Sequence, residues 1–236
     1  MTPFQELLLR STIPLRMLDD FNRPKLGYAC GVMVSYREKR FFLTVQHSVG
    51  HTGDWAIEIE YDQELGEQKM YRLGSSLWFL KKPVLGGMEI IDFAFCLLPE
   101  TVVSYYQEFT QEDVIKGSQR RFTFCIDSNT EFTASQEYGF AGFVLPSLEY
   151  GKLRATPEII TGMRYLRMED DLAAFSFNNA YGRNNEYFEG ASGAPIIDLN
   201  GDVVALLEGG DTEKQEIYGV PLINYKGALL GAALSE

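Results

Sequence analysis

One serine in this chain stands in a setting that suits a nucleophile. Ser192 lies in the stretch EGASGAPIID, with glycines two residues before it and directly after it, a proline close behind, and an apolar strand following. A serine hydroxyl is a weak nucleophile until a neighbouring base accepts its proton. The base is usually a histidine, and this chain has only two, His47 and His51. The chemistry of Ser192 therefore depends on whether one of them can reach it.

His47 and Asp92 are the residues that best complete such a site. His47 ends the apolar run FFLTVQHSV, so a rigid strand would hold it where the chain reaches solvent. Asp92 is a lone carboxylate within EIIDFAFCLL, and burying a carboxylate is costly unless a hydrogen-bond donor pairs with it. A histidine Nδ1–H would satisfy Asp92, orient the imidazole and stabilise its protonated form. His51, in GHTGDW, is predicted to be a surface-loop residue.

The order of these residues excludes one fold. An α/β-hydrolase also embeds its serine among glycines, but its histidine follows the nucleophile in the chain. Here both histidines precede Ser192, and Ala194 breaks the Gly-x-Ser-x-Gly pattern of that fold. A catalytic triad in the chain order His, Asp, Ser is still possible.

The elements that must position these residues are mostly strands. Runs such as YACGVMVSY, FFLTVQ, WAIEIEY and IIDFAFCLL are separated by Gly, Asn, Asp or Pro, which predicts many short strands in an all-β barrel or sandwich. REKR is predicted to be a hairpin turn, and Asn200-Gly201 a two-residue turn. Thr2-Pro-Phe-Gln5 predicts a capped helix, YKGALLGAALSE predicts a C-terminal helix, and TVVSYYQEFT also favours a helix.

Three blocks of this chain resemble the signature blocks of the trypsin/chymotrypsin-like serine proteases. They are LTVQHSV, IDFAFCLL and GASGAP, in this order, with His47, Asp92 and Ser192 separated by 45 and 100 residues. The resemblance covers roughly residues 28–223. It implies an all-β fold of two six-stranded antiparallel β-barrels, with short terminal helices added here. Residues 1–115 would form the barrel that carries His47 and Asp92, and residues 116–236 the barrel that carries Ser192.

The resemblance also implies an activity, a serine endopeptidase that works through an acyl-enzyme intermediate. Ser192 Oγ would attack a peptide carbonyl while His47 accepts its proton, and the backbone N–H groups of Gly190 and Ser192 would form the oxyanion hole. Gly190 would adopt a backbone conformation that a Cβ penalises. No metal and no cofactor is expected in this chemistry.

Four further residues match the substrate-binding positions of the family. Glu186 falls where the floor of the primary pocket is expected, and it would pair with a substrate Lys or Arg; the alternative is an exposed side chain in the acidic loop NNEYFEG. Glu208, Gly209 and Gly210 end the strand VVALLEGG and resemble the segment that pairs with the substrate backbone. The alternative is an ordinary hairpin exit.

One departure from the family leaves the mode of action open. Secreted members carry an aspartate directly before the serine, where it pairs with the amino terminus released by zymogen cleavage; here that residue is Ala191. The chain is more similar to the intracellular trypsin-like peptidases of bacteria and their viruses. Besides an endopeptidase acting on a specific partner protein, two alternatives remain: a dormant effector switched on by a signal or partner, and a pseudoprotease that binds a peptide without cutting it.

Composition limits the partners and the compartment. The 236 residues carry a formal net charge of −12, which argues against a nucleic-acid-binding surface. No apolar window approaches the eighteen or so residues of a membrane span, and the N-terminus does not read as a signal peptide. The three cysteines, Cys30, Cys96 and Cys125, are predicted to be buried free thiols in a reducing compartment, so a cytoplasmic location is expected.

Overall fold

The computed structural model describes residues 1–19, 23–50, 54–110, 114–128, 130–149, 152–178 and 185–235. Strands dominate this part of the chain, and helices are few and short. The predicted all-β class is therefore confirmed. The helices are α1 (Pro3–Ser11), α2 (Gln46–Val49) and α3 (Lys226–Leu234). The strands are β1 (Ile13–Leu18), β2 (Pro24–Tyr36), β3 (Lys39–Thr44), β4 (Asp54–Asp62), β5 (Glu67–Arg72), β6 (Trp78–Val84), β7 (Gly87–Leu98), β8 (Tyr105–Phe109), β9 (Ile115–Arg120), β10 (Thr123–Cys125), β11 (Glu137–Glu149), β12 (Lys152–Glu169), β13 (Leu172–Ser176), β14 (Pro195–Asp198), β15 (Val203–Asp211) and β16 (Glu216–Pro221).

The strands form two main sheet systems. In the first half they are ordered β5-β4-β1-β2-β3-β7-β6, and β10 adds to β2 in parallel. In the second half β11-β12-β13-β16-β15-β14 closes into a six-stranded barrel. In the chain, β8 and β9 come between β7 and β10, and they pair as a separate two-stranded sheet. The expected boundary after residue 115 falls at the start of β9, and β10 still pairs with the first half.

Several local predictions match the structure. Thr2 caps α1, and its Oγ1 accepts a hydrogen bond from the Gln5 N–H while the Gln5 side chain accepts one from the Thr2 N–H. Residues 226–234 form α3, as predicted. The turn between β2 and β3 places Arg37 and Glu38 at positive φ, as a tight hairpin requires.

Two local predictions were wrong, and one cysteine was misjudged. The stretch 101–110, expected to be helical, contains strand β8 because its aromatic residues pair across the β8–β9 hairpin. The turn at Asn200-Gly201 is longer than two residues, since the buried carboxylate of Asp198 accepts hydrogen bonds from the N–H groups of Asn200 and Asp202. Cys30 and Cys96 are buried free thiols as expected, but Cys125 is exposed.

One of the apolar clusters among the described residues contains side chains from both halves. Val32 and Phe93 of the first half pack in it with Ala141 and Ile197 of the second. Phe93 also stacks on Tyr225, at the start of α3, with ring centroids 4.5 Å apart. Because Phe93 follows Asp92 directly, this contact holds the strand that carries the site carboxylate against the second half.

Within the described residues, no helix is both long and apolar enough to cross a membrane.

Candidate active site

His47 and Asp92 are brought together by the pairing of β3 with β7. Thr44, the last residue of β3, lies opposite Ala94, so the chain that leaves β3 passes beside Asp92. Asp92 then holds His47 at two points: its Oδ1 accepts the backbone N–H of His47 at 2.7 Å, and its Oδ2 lies 2.8 Å from His47 Nδ1. This two-point contact fixes both the position and the orientation of the imidazole.

The His47 ring remains open to solvent on one side. Its side chain is 44% exposed and that of Asp92 is 26% exposed, so Asp92 is only partly buried. The hydrogen bond that His47 donates to Asp92 raises the pKa of His47, while desolvation lowers it. The charges of Asp92 and Glu208 raise this pKa further, so the net change is a rise. The ring is therefore a stronger base than a free histidine, and it keeps access to a bound molecule.

Ser192 lies in a loop that is held by its backbone on both sides. The N–H of Cys30 donates to the Ser192 carbonyl at 2.8 Å, and the N–H of Gly193 donates to the Leu207 carbonyl at 2.7 Å. The Cys30 thiol also donates to the Gly190 carbonyl at 3.2 Å. Burial raises the pKa of this thiol to about 12, so it stays protonated and able to donate. The first half of the molecule thus positions the loop of the second.

The two glycines of the loop have conformations that other residues rarely adopt. Gly190 has φ of 93°, and a Cβ there would lie 2.8 Å from the Phe143 carbonyl oxygen. Gly193 has φ of 87°, and its Cβ would lie 2.1 Å from the Cys30 carbonyl oxygen. Among the described residues, the N–H groups of Gly190 and Ser192 donate to no acceptor, so this part of the chain leaves both available to an anionic oxygen.

Ala191, directly before the serine, is an apolar anchor for the same loop. Its side chain is fully buried, and it lies so close to Gly142 of β11 that a Cβ on this glycine would be 2.5 Å from the Ala191 Cβ. The Ala191 N–H donates to the Phe188 carbonyl at 3.0 Å. Packing and backbone hydrogen bonds therefore hold the loop without an ion pair at this position.

The Ser192 hydroxyl is directed at β15. Its Oγ donates to the Glu208 carbonyl at 3.2 Å, and among the described residues it makes no hydrogen bond to His47. Side-chain rotation of a partly exposed serine is fast, on the order of picoseconds to nanoseconds. Glu208 lies near both groups, since its carbonyl accepts the hydroxyl and its carboxylate lies within 4.8 Å of the imidazole.

The carboxylate of Glu208 is the feature of the site that sequence reasoning missed. A ring nitrogen of His47, a carboxylate oxygen of Asp92 and a carboxylate oxygen of Glu208 all lie within 4.8 Å of one another. The sequence predicted Glu208 only as part of the segment that pairs with the substrate backbone. The direction of its side chain depends on a β-bulge, which that prediction did not include. The register of β15 against β16 passes from Leu207 opposite Gly219 to Gly209 opposite Tyr218, which leaves Glu208 as the extra residue. A strand followed by two glycines was the available signal for a bulge.

The other predicted substrate residues fall in different situations. Gly209 and Gly210 lie on β15 beside the site, where Gly209 has open space around it and Gly210 packs against Ile217. The backbone of Glu186 lies in a 3₁₀ turn, but its side chain lies outside the described part of the chain. His51 also lies outside the described residues.

Comparison with known proteins identifies the fold. No family profile matches the chain, and no curated protein sequence matches it either. The serine endoprotease from Yersinia pestis is 10% identical with a TM-score of 0.53, and the match covers 98% of this chain and 66% of that one. The MamO protease domain from Magnetospirillum magneticum is 13% identical, with 91% and 93% covered and a TM-score of 0.48. The Rv3671c protease of M. tuberculosis, in an inactive form, is 16% identical, with 97% and 92% covered and a TM-score of 0.47. The chain has the trypsin-like serine protease fold.

Proposed function

We propose that this chain is a serine endopeptidase in which His47, Asp92 and Ser192 form the catalytic triad. His47 Nε2 accepts the proton of Ser192 Oγ as that oxygen bonds to the scissile carbonyl carbon. The protonated ring then gives this proton to the leaving amine, and the C–N bond breaks to leave an acyl-enzyme. Water, deprotonated by His47, then attacks the carbonyl carbon of the ester. The bond from this carbon to Ser192 Oγ breaks, and His47 gives the proton to Oγ.

The observation that carries this proposal is the double contact between Asp92 and His47. With Nδ1–H donating to Oδ2 at 2.8 Å and the backbone N–H held at 2.7 Å, the Nε2 lone pair is left as the proton acceptor. The free N–H groups of Gly190 and Ser192 add the second requirement, donors for the oxyanion. In comparable enzymes one such donor contributes about 2.7–4 kcal/mol to the transition state.

The structure of the loop favours an enzyme that acts without a switch over the dormant alternative. The contacts of Cys30, Leu207 and Ala191 hold the loop in a conformation with both amide donors free. The remaining change is rotation of the Ser192 hydroxyl from the Glu208 carbonyl towards His47. A bound peptide would promote it, because its own N–H group would compete for that carbonyl when it pairs with β15 as an added strand. The substrate is thus a protein or peptide in extended conformation.

The first test of this function is labelling with a fluorophosphonate probe, which reports an activated serine directly. Wild-type protein is expected to be labelled, Ser192→Ala to lose all labelling, and His47→Ala to lose at least about a thousandfold in rate. Ser118→Ala, at an exposed serine of β9, is the matched control and should label like wild type. Equal labelling of the wild type and the two site variants would overturn the proposal.

Turnover of a peptide library separates the enzyme from a peptide-binding module. Cleavage that disappears in Ser192→Ala supports an endopeptidase. A chain that binds peptides with unchanged affinity in Ser192→Ala and cleaves none would instead be the pseudoprotease, and the triad assignment would be withdrawn.

A further inference from the structure

We propose that Glu208 is a positioning residue of the site, a second carboxylate that acts on His47 together with Asp92 and stabilises the imidazolium formed when Ser192 is deprotonated. This role rests on the proposed function, since it concerns the same histidine. It adds a fourth side chain to the site, and it gives Glu208 a purpose other than contact with the substrate backbone.

The geometry at Glu208 is built by the β-bulge. In regular pairing Glu208 would lie opposite a residue of β16 and its side chain would point to the face opposite that of Leu207. The register shift instead leaves Glu208 opposite no residue of β16. A bulge redirects the side chain of its extra residue, and bulges occur often beside active sites. Here the Glu208 carboxylate lies beside the His47–Asp92 pair, and one side-chain nitrogen or oxygen atom of each of the three residues lies within 4.8 Å of the other two. The backbone carbonyl of Glu208 accepts a hydrogen bond from the Ser192 hydroxyl.

The charge arrangement is costly for Glu208 and favourable for His47. Burial and the charge of Asp92 raise the pKa of Glu208, whereas His47 lowers it. The charged side chains that shift the pKa of His47 are Asp92 from β7 and Glu208 from β15, and helix α2 and the Ser192 loop add none within the described residues. Two carboxylates this close repel each other unless a cation lies between them. The imidazolium is the cation that the site itself can supply.

The sign of the effect on pH dependence follows from this arrangement. While it is ionised, Glu208 favours the protonated ring, so His47 becomes a free base only at a pH above its ordinary range. Removing this charge should move the titration of His47 to lower pH. It should also slow acylation at high pH, because the imidazolium formed in the transition state loses one of its two counter-charges.

The test compares Glu208→Gln, which keeps the shape and removes the charge, with Glu213→Gln, which removes the same charge from an exposed residue of the same hairpin. The His47 titration is read directly by NMR, from the imidazole carbon-bound protons of a His51→Gln background in which His47 is the only histidine. We expect its midpoint to move to lower pH in Glu208→Gln and to stay in Glu213→Gln. The rate of fluorophosphonate labelling at high pH should fall about three- to tenfold in Glu208→Gln alone.

The outcomes separate this inference from the proposed function. An unchanged His47 titration in Glu208→Gln would overturn the role of Glu208, whatever the activity of the protein. A shifted titration in a protein whose Ser192 is labelled at no pH would support the electrostatic coupling and overturn the endopeptidase. Glu208→Asp keeps the charge on a shorter side chain, and its titration should lie closer to wild type than that of Glu208→Gln. A Glu208→Asp titration shifted further from wild type than that of Glu208→Gln would contradict an effect of the charge.

Discussion

Ser192 owes its position to glycines on either side of it, and the two have different purposes. Gly190, at φ of 93°, has a backbone conformation that a Cβ would strain, and its N–H is one of the two donors proposed for the oxyanion hole. Gly193, at φ of 87°, lets the loop pass directly against the backbone of β2 at Cys30. Cys30 in turn holds the loop through its N–H and its thiol. The serine loop of the second half therefore depends on close packing against the first.

Replacing Gly193 with alanine tests this packing. The new Cβ would meet the Cys30 carbonyl oxygen at 2.1 Å and would impose a strained φ. We expect Gly193→Ala to lower the free energy of unfolding by about 2–5 kcal/mol and to abolish probe labelling of Ser192. Gly87→Ala, where nothing lies within 4 Å of the added Cβ, should change stability by less than about 0.5 kcal/mol. Urea denaturation measures both, and wild-type stability of Gly193→Ala would contradict the packing.

Helix α1 shows how one element is terminated by a distant side chain. The carbonyls of its last turn lack partners within the helix. The guanidinium of Arg121, buried after β9, donates to the Leu9 carbonyl at 2.8 Å and to the Thr12 carbonyl. It also lies over the rings of Tyr106 and Phe143. Burial lowers the pKa of Arg121 to about 10, which still leaves it charged at neutral pH.

Removing this contact should destabilise the protein more than a surface substitution. Arg121→Ala leaves two buried carbonyls without a donor, and we expect the free energy of unfolding to fall by about 2–4 kcal/mol. Lys116→Ala, at an exposed residue of β9, is the control, and its free energy of unfolding should fall by less than about 0.5 kcal/mol. Chemical denaturation followed by far-UV circular dichroism gives both values. Equal stability of the two variants would show that Arg121 does not support the end of α1.

The two halves of the molecule share an apolar cluster, which has a consequence for unfolding. Leu229 of α3 packs in the same cluster as Phe41 and Phe93 of the first half, and it is 1% exposed. Both tryptophans, Trp55 and Trp78, lie in the first half. Tryptophan fluorescence therefore reports the first half, while circular dichroism reports the whole chain.

We expect the two signals to give one coincident unfolding transition. Leu229→Ala, although near the C-terminus, should also shift the transition seen by tryptophan fluorescence to lower denaturant. We expect it to lower the free energy of unfolding by about 2–5 kcal/mol. Leu234→Ala, at a residue 77% exposed, should leave the transition in place. Two separate transitions, with only the circular dichroism affected by Leu229→Ala, would show that the halves unfold independently.

The sequence by itself determined the all-β class, the terminal helices and the identity of His47, Asp92 and Ser192 as residues to examine. These features follow from local patterns: strand periodicity, helix-capping residues, and residue types with few alternatives in a chain that has two histidines. The helix expected at 101–110 failed because aromatic residues there pair with a neighbouring strand.

Only the tertiary structure decided that the Ser192 hydroxyl rests on the Glu208 carbonyl, that Cys30 holds the serine loop, and that the Glu208 carboxylate joins the His47–Asp92 pair. Each of these contacts joins strands or loops whose relative register is set by the whole sheet. A shift of one residue at the β15 bulge would turn Glu208 away from His47. The two glycines after Glu208 are a local signal for a bulge, but they do not determine its register.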